Sequence, residues 1–543
     1  MLTSLIASVV LFGILVFVHE FGHFIVAKHF NVLVEKFSLG FGPKLFSKKW
    51  GETEYLICLI PLGGYVKMLG EGDEDDEAKK LSKENIDRSF SHKPLYQRTL
   101  IVLTGPICNL VLPIIIFFLI FFAGFPTLTS RIGETVSYDP ADAIGLKAND
   151  QVVAIDGQKI WRWETLTKII KKSPGKKLDL KVDRSGEFLD LTVTPEPDKG
   201  FNEYGEEIIV GKLGILPNPK EASIYVAHES LASKLGLQNN DLINEINGEA
   251  VSSFYNLKDI ILRPNFEINS ITLQRSEIKQ TINLDSEQST SIRNKTLKEI
   301  GLYSADLLLK EISENSPASR AGILPGDYIL ALDGKNNINW LFLEQTIKNS
   351  AGRPLQIEIL RKGEKLTFTV IPELNMIKDN LFGMKSEYYY IGVMSYQSFG
   401  MPEFITDKEN QFHPINSLIK SISKTFEVGK VTTVGFVKLF QGKISLKTLG
   451  GPIMIFRVAG KAFELGGLLQ FIQIIAVFSI ILGLINLFPI PVLDGGHLLF
   501  YAIEAIKGSP VNKRAMEIAQ QVGLSLLLLL MLFTFYNDIM RFF

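Results

Sequence analysis

Long apolar runs and long stretches of mixed pattern alternate along the chain. Leu2 to Val18 carries no charged residue, and with Phe21 to Ala27 it forms a segment long enough to cross a bilayer as a helix. Three further segments predict spans: Thr99 to Phe125, Leu468 to Ile490 and roughly Glu517 to Tyr536, each without lysine or arginine in its interior. No basic residue precedes the first run and no small-residue cleavage site follows it. The first lysine, Lys28, lies on its C-terminal side, so the run reads as an uncleaved anchor rather than a signal peptide. Between the second and third spans, Ile415, Leu418, Ile419, Ile422 and Phe426 recur at helical spacing. They predict a helix over 414–440, either amphipathic on the outer membrane surface or packed against its neighbours.

Four spans place residues 28–98 on the same side as the loop between spans three and four. Basic residues set the sign. Lys507, Lys513 and Arg514 lie in that short loop, and Lys28, Lys36, Lys44, Lys48 and Lys49 follow the first span, so both loops are expected in the cytoplasm. The acidic run Asp73 to Glu77 weighs little in orientation. The region 126–467 is then extracytoplasmic.

Composition narrows the class. The 543 residues are 46% hydrophobic and 21% charged, with a net charge of -1 and a mean hydropathy of +0.18. Those values exclude a disordered or collagen-like chain and fit an integral membrane protein with a large polar part. Near-zero net charge excludes nucleic acid as the main partner, because phosphate binding needs clustered Lys and Arg. Two cysteines, Cys58 and Cys108, build no disulfide framework.

The polar region repeats itself. Pro317-Ala318-Ser319-Arg320-Ala321-Gly322 through Asp327 to Asp333-Gly334 recurs as Pro140 to Asp150 with Asp156-Gly157, and as Leu231 to Asp241 with Asn247-Gly248. Hairpins follow at Leu178 to Val193, Ile271 to Leu284 and Leu355 to Val370. Asp150 to Asp327 and Pro195 to Pro372 both span 177 residues, which marks a true repeat. The second copy has lost the Pro and Gly of the signature. The copies resemble PDZ domains of the bacterial protease type, which take an extended peptide as an added strand. They can equally serve as spacers or gates that bind no peptide.

The sharpest chemical signal is His19-Glu20-Phe21-Gly22-His23 at the end of the first span. Positions i and i+4 share a helix face, so both imidazoles converge on one metal while Glu20 is placed to handle a water proton. Ionisable groups inside a span are costly and mark function. A catalytic zinc site wants a third protein ligand and an open position. Asn486-Leu487-Phe488-Pro489-Ile490-Pro491-Val492-Leu493-Asp494-Gly495-Gly496 offers one. Its prolines interrupt the helix, and freed backbone at membrane depth is tolerated only inside protein or in a wet cavity. Asp494 is thereby presented at a broken helix end, with His497 as a rival ligand. At about 1.5 Å per residue, His19 lies roughly 25 Å along a helix from Leu2, toward the cytoplasmic side where Asp494 also arrives.

These motifs resemble the site-2 protease family of intramembrane zinc metalloproteases over nearly the whole length. The resemblance also rests on Phe37 to Pro43, Ile60 to Met68, Gly105-Pro106 with Asn109, and Gly451-Pro452-Ile453. It implies that His19, His23 and Asp494 bind Zn2+, that Glu20 is the general base, and that Asn486 holds the substrate backbone. It also implies that Ile60 to Met68, with Gly63, Gly64, Tyr65 and Val66, is a membrane-associated hairpin offering an edge to unwound substrate. Three PDZ-like copies depart from the family's usual one or two.

The expected fold is a multi-pass α-helical membrane protein with about four transmembrane helices, a membrane-associated β-hairpin and inserted tandem PDZ-like α/β modules. Residues 1–125 form the first half of the membrane core, 126–215, 216–302 and 303–400 the three modules, 401–467 a linker, and 468–543 the second half. The implied activity is zinc endopeptidase cleavage of single-span membrane proteins, such as anti-sigma factors or remnant signal peptides. It would follow a first cut by an upstream site-1-type protease, and the expected location is a bacterial inner membrane. The competing classes are a non-catalytic scaffold recruiting misfolded envelope proteins, which would lack a ligand or base, and a zinc transporter, which would carry polar residues along several spans.

Overall fold

The structure is a computed structural model and describes residues 2–71, 86–202, 206–378, 385–396, 399, 402–406, 411–446 and 449–541; the run Asp73 to Glu77 lies outside them. Four helices among the described residues are long and apolar enough to cross a membrane: Thr3–His29, Leu95–Ala123, Gly466–Asn486 and Lys513–Met540. The first three interlock through Leu11, Leu15, Phe117, Ile475, Ala476 and Ile480, all buried. The fourth keeps most of its apolar side chains on the outside, as a lipid-facing helix does.

The third span ends at Asn486, short of the expected Ile490. Pro489 and Pro491 lack amide protons, so the helix stops before them and restarts at Asp494. At its other end the span continues a helix from Pro452, kinked at Gly467 with φ 62° and ψ -157°. The second span starts earlier than expected, at Leu95, and contains Pro106 and Pro113.

The helix Pro414–Phe440 turns its small residues inward: Ser417, Ser421 and Thr425 are buried, whereas Ile415, Ile419, Ile422 and Phe426 are exposed. Its first turns lie beside Ile114, Ile115 and Phe118, and Phe436 meets Phe488 at 5.2 Å between ring centroids. It therefore leans along the second span toward the proline segment instead of lying flat across the helix ends. Small side chains permit this close approach between helices in an apolar medium.

After the first span the chain builds a larger sheet than the hairpin Ile60 to Met68. Leu39 pairs with both Ile57 and Gly64, and Phe46 with Ile57. The strand segments therefore lie in the order 44–50, 53–60, 34–41, 64–68. Gly40 and Gly42, both at φ 87°, let the chain fold back at its bulges. Residues 64–68 form the edge next to the first helix.

Each sequence repeat forms a four-stranded sheet of one order. In the first, Gln158–Lys159, Gln151–Ile155, Leu178–Arg184 and Glu187–Val193 are neighbours in that sequence, and the other two repeats follow suit. The turns Asp156-Gly157, Asn247-Gly248 and Asp333-Gly334 all have positive φ at both residues, the geometry a tight hairpin requires. A buried aspartate and an arginine recur in every copy. Arg184 grips Asp150 with Nε at 2.7 Å, Arg275 grips Asp241 at 2.8 Å, and Arg361 grips Asp327 at 2.7 Å. The residue before each aspartate is left-handed: Asn149, Asn240 and Gly326. Asparagine adopts this conformation more readily than other non-glycine residues, so the first and second copies keep the geometry without the glycine that the third has there.

The repeats share packing as well as topology. Val136 from the first and Tyr225 from the second enter the core of the third, where Tyr225 stacks on Tyr328 at 4.4 Å. Lys220 is buried between Asp306 at 2.9 Å and Glu134 at 3.5 Å, and Tyr255 and Asn339 donate to Glu134. Burial alone would lower the Lys220 pKa, but the two carboxylates hold it above the ordinary lysine value. Strand Phe404–Thr406 pairs with Pro126–Leu128, tying the array to the end of the second span.

Candidate active site

His19 and His23 lie one turn apart on the first helix, with their Nε2 atoms 3.2 Å from each other. Asp494 reaches them from the start of the helix Asp494–Lys507, with Oδ2 3.1 Å from His19 Nε2 and Oδ1 3.6 Å from His23 Nε2. One ligand atom from each of the three falls within 4.8 Å of the other two. This is the metal-compatible cluster among the described residues, and His497 is not part of it. Two imidazole nitrogens and a carboxylate match the donor chemistry of zinc.

Glycines make the convergence possible. A Cβ on Gly105 would run into His23 Nε2, so the second span can approach both imidazoles only with hydrogen there. A Cβ on Gly495 or Gly496 would strike the backbone of Phe488 or Ile490, so both let the helix carrying Asp494 tuck under the proline segment. A Cβ on Gly64 would lie 2.6 Å from Ser38 O and 3.1 Å from Glu20 Cγ. The edge strand 64–68 therefore lies directly against the first helix at Glu20. Gly63, Tyr65 and Val66 are carried beside it on the same segment, with Gly63 at φ 124°.

The imidazoles are also held from behind. His23 Nδ1 bonds Ile101 O at 2.9 Å, and Asn109 Nδ2 lies 3.2 Å from His19 Nδ1. Ile101, Gly105 and Asn109 fall at i, i+4 and i+8, one stripe of the second span. Asn486 Nδ2 lies 3.4 Å from His19 Nδ1. The sequence reading quoted Gly105 and Asn109 but assigned them no task. The available signal was Asn109 itself, an amide inside an otherwise apolar span.

The model of peptidase family M50 matches residues 7–530. The chain belongs to peptidase family M50. As an M50 peptidase it is a metalloprotease of the membrane, and the HExxH helix and its aspartate partner sit inside the matched region. It is similar to the regulator of sigma-E protease RseP of Escherichia coli, 31% identical over 99% of each chain. It is also similar to protease RseP of Yersinia pestis, 30% identical over 99% of each, and to the regulator of sigma E protease of Haemophilus influenzae at 28% over the same shares. This M50 chain is thus matched along its length, repeats included.

Proposed function

We propose that the protein is a zinc-dependent intramembrane endopeptidase that cuts single-span membrane proteins after another protease has removed their outer part. The observation that carries this reading is the meeting of His19 and His23, on the first membrane-spanning helix, with Asp494, which follows the third, beside Glu20 and a sheet edge. His19, His23 and Asp494 would hold Zn2+, which when bound supplies a Lewis acid for water activation and carbonyl polarisation. Glu20 takes the proton of the attacking water and delivers it to the leaving amine. Asn486 and the edge at Gly63, Gly64, Tyr65 and Val66 hydrogen-bond the unwound substrate, replacing the bonds its helix has lost.

The relatives regulate sigma-E by their printed names. By extension we infer an anti-sigma factor, with remnant signal peptides as a second substrate class. The basic loops support a bacterial inner-membrane location with the active site toward the cytoplasm and the PDZ-like repeats outside. The fused repeats act as a size filter. In the third, a groove of about 430 Å³ between the helix Trp340–Lys348 and the segment Ile391 to Met394 could receive an extended chain.

The test compares cleavage of a pre-trimmed single-span substrate by the unmodified protein and by Glu20→Gln in detergent. Loss of cleavage in Glu20→Gln alone, by at least about 10²-fold, supports the assignment. Equal cutting by both removes Glu20 from the chemistry, and the absence of cutting by either favours a recruiting scaffold.

A further inference from the structure

Asn109 is fully buried on the second span, and its amide faces the Nδ1 side of His19 at 3.2 Å. His19 meets Asp494 and His23 through the other nitrogen, Nε2. A neutral imidazole that offers the Nε2 lone pair to a metal carries its proton on Nδ1, so Nδ1 must find an acceptor. Asn109 Nδ2 is a second donor, whereas Asn109 Oδ1 is buried without a partner. A half-turn of the amide brings Oδ1 to Nδ1–H and gives it a hydrogen bond. Oxygen and nitrogen of an amide exchange places at almost no steric cost.

The backbone of Asn109 is fixed independently of its side chain. Its carbonyl would accept from residue i+4, but that residue is Pro113, which has no amide proton. Ser479 of the third span fills the gap, its buried Oγ donating to Asn109 O at 2.7 Å. The second span thus restrains both histidines from one stripe: Ile101 O accepts from His23, and Asn109 is set in place for His19. Carbonyl or amide partners of this kind hold a ligand's tautomer and ring orientation.

We infer that Asn109 is a positioning residue for the metal centre: its carboxamide oxygen accepts the Nδ1 proton of His19 and fixes the tautomer that directs Nε2 at the ion, with Ser479 and Pro113 anchoring its backbone. The inference rests on the proposed role of His19 as a ligand, and the test separates the two.

The full chain in detergent is titrated with Zn2+ against a competing chelator, and with Co2+ followed by its visible absorption. The proteins compared are the unmodified chain, Asn109→Leu, Asn109→Asp and His19→Ala. Asn109→Leu keeps the approximate volume without an acceptor and should weaken Zn2+ binding about 10- to 100-fold. Asn109→Asp keeps an acceptor and should restore affinity and the cobalt spectrum. Should Asn109→Leu fold poorly, the Asn109→Asp comparison still decides: loss of affinity there overturns the acceptor role. Undiminished affinity in Asn109→Leu, with affinity lost in His19→Ala, overturns the inference and leaves the ligand assignment standing. Undiminished affinity in His19→Ala overturns the ligand assignment and the inference with it.

Discussion

At the scale of single residues, the site is shaped as much by missing side chains as by present ones. Gly105 leaves room for two imidazoles, and Gly495 and Gly496 leave room for a backbone that has just turned at two prolines. We expect Gly105→Ala to displace His23 and lower both zinc content and cleavage, because the new methyl group meets a ring held at Ile101 O. Metal analysis of the purified variant checks this; full zinc occupancy at unchanged affinity would count against it. His19 and His23 were legible because their spacing already fixes a shared face on any helix. The glycine at 105 was legible as part of a motif, but its purpose was not, since a close approach between helices is invisible until both helices are placed.

At the scale of elements, one helix carries His19, Glu20 and His23, a broken helix carries Asp494, and a sheet edge lies against the first of them. Gly64→Val should push the edge strand off the first helix, given the contact with Ser38 O at 2.6 Å and Val16 Cγ1 at 2.8 Å. Cleavage of a pre-trimmed substrate should fall while zinc affinity stays within error; a parallel loss of zinc would mean that the strand supports the metal site itself. The proline segment read correctly as a helix stop, because a missing amide proton is a local fact. The order of the sheet segments 44–50, 53–60, 34–41 and 64–68 was not readable, since two bulges at Gly40 and Gly42 reroute a run that otherwise looks like one hairpin. The helix Pro414–Phe440 forms over the expected range and packs against its neighbours, but its apolar stripe faces outward while the contact face is serine and threonine.

At the scale of the whole molecule, three repeats act as one body because their cores and their buried charges are shared. Lys220→Ala leaves Asp306 and Glu134 without their cation, a loss on the order of 3–5 kcal/mol. Hydrogen exchange on the full chain should show the three repeats loosening together; exchange confined to the second would show that they are independent. Because the folded Lys220 pKa is raised, its contribution is fully present below the unfolded lysine value of about 10.4 and is lost as pH rises through the higher folded value. The unmodified array should therefore show no Lys220-linked loss of stability near neutral pH, which denaturant titrations at stepped pH can check. If the rigid array filters by size, full-length substrate should be cut more slowly than pre-trimmed substrate, and equal rates in the intact protein would sink that idea.

By itself, the sequence determined whatever depends on near neighbours: the spans, the HExxH face, the helix stop before Asp494 and the repeated Asp-Gly and Asn-Gly turns. Tertiary structure alone decided what depends on distant groups arriving together. It seated Asp494, and not its rival His497, on the two histidines, brought Asn109 to His19 from another span, and used Val136, Tyr225 and Lys220 to bind separate repeats into one. Periodicity describes which face of an element is apolar, but a contact between two elements is a property of both surfaces and of the chain that brings them into register.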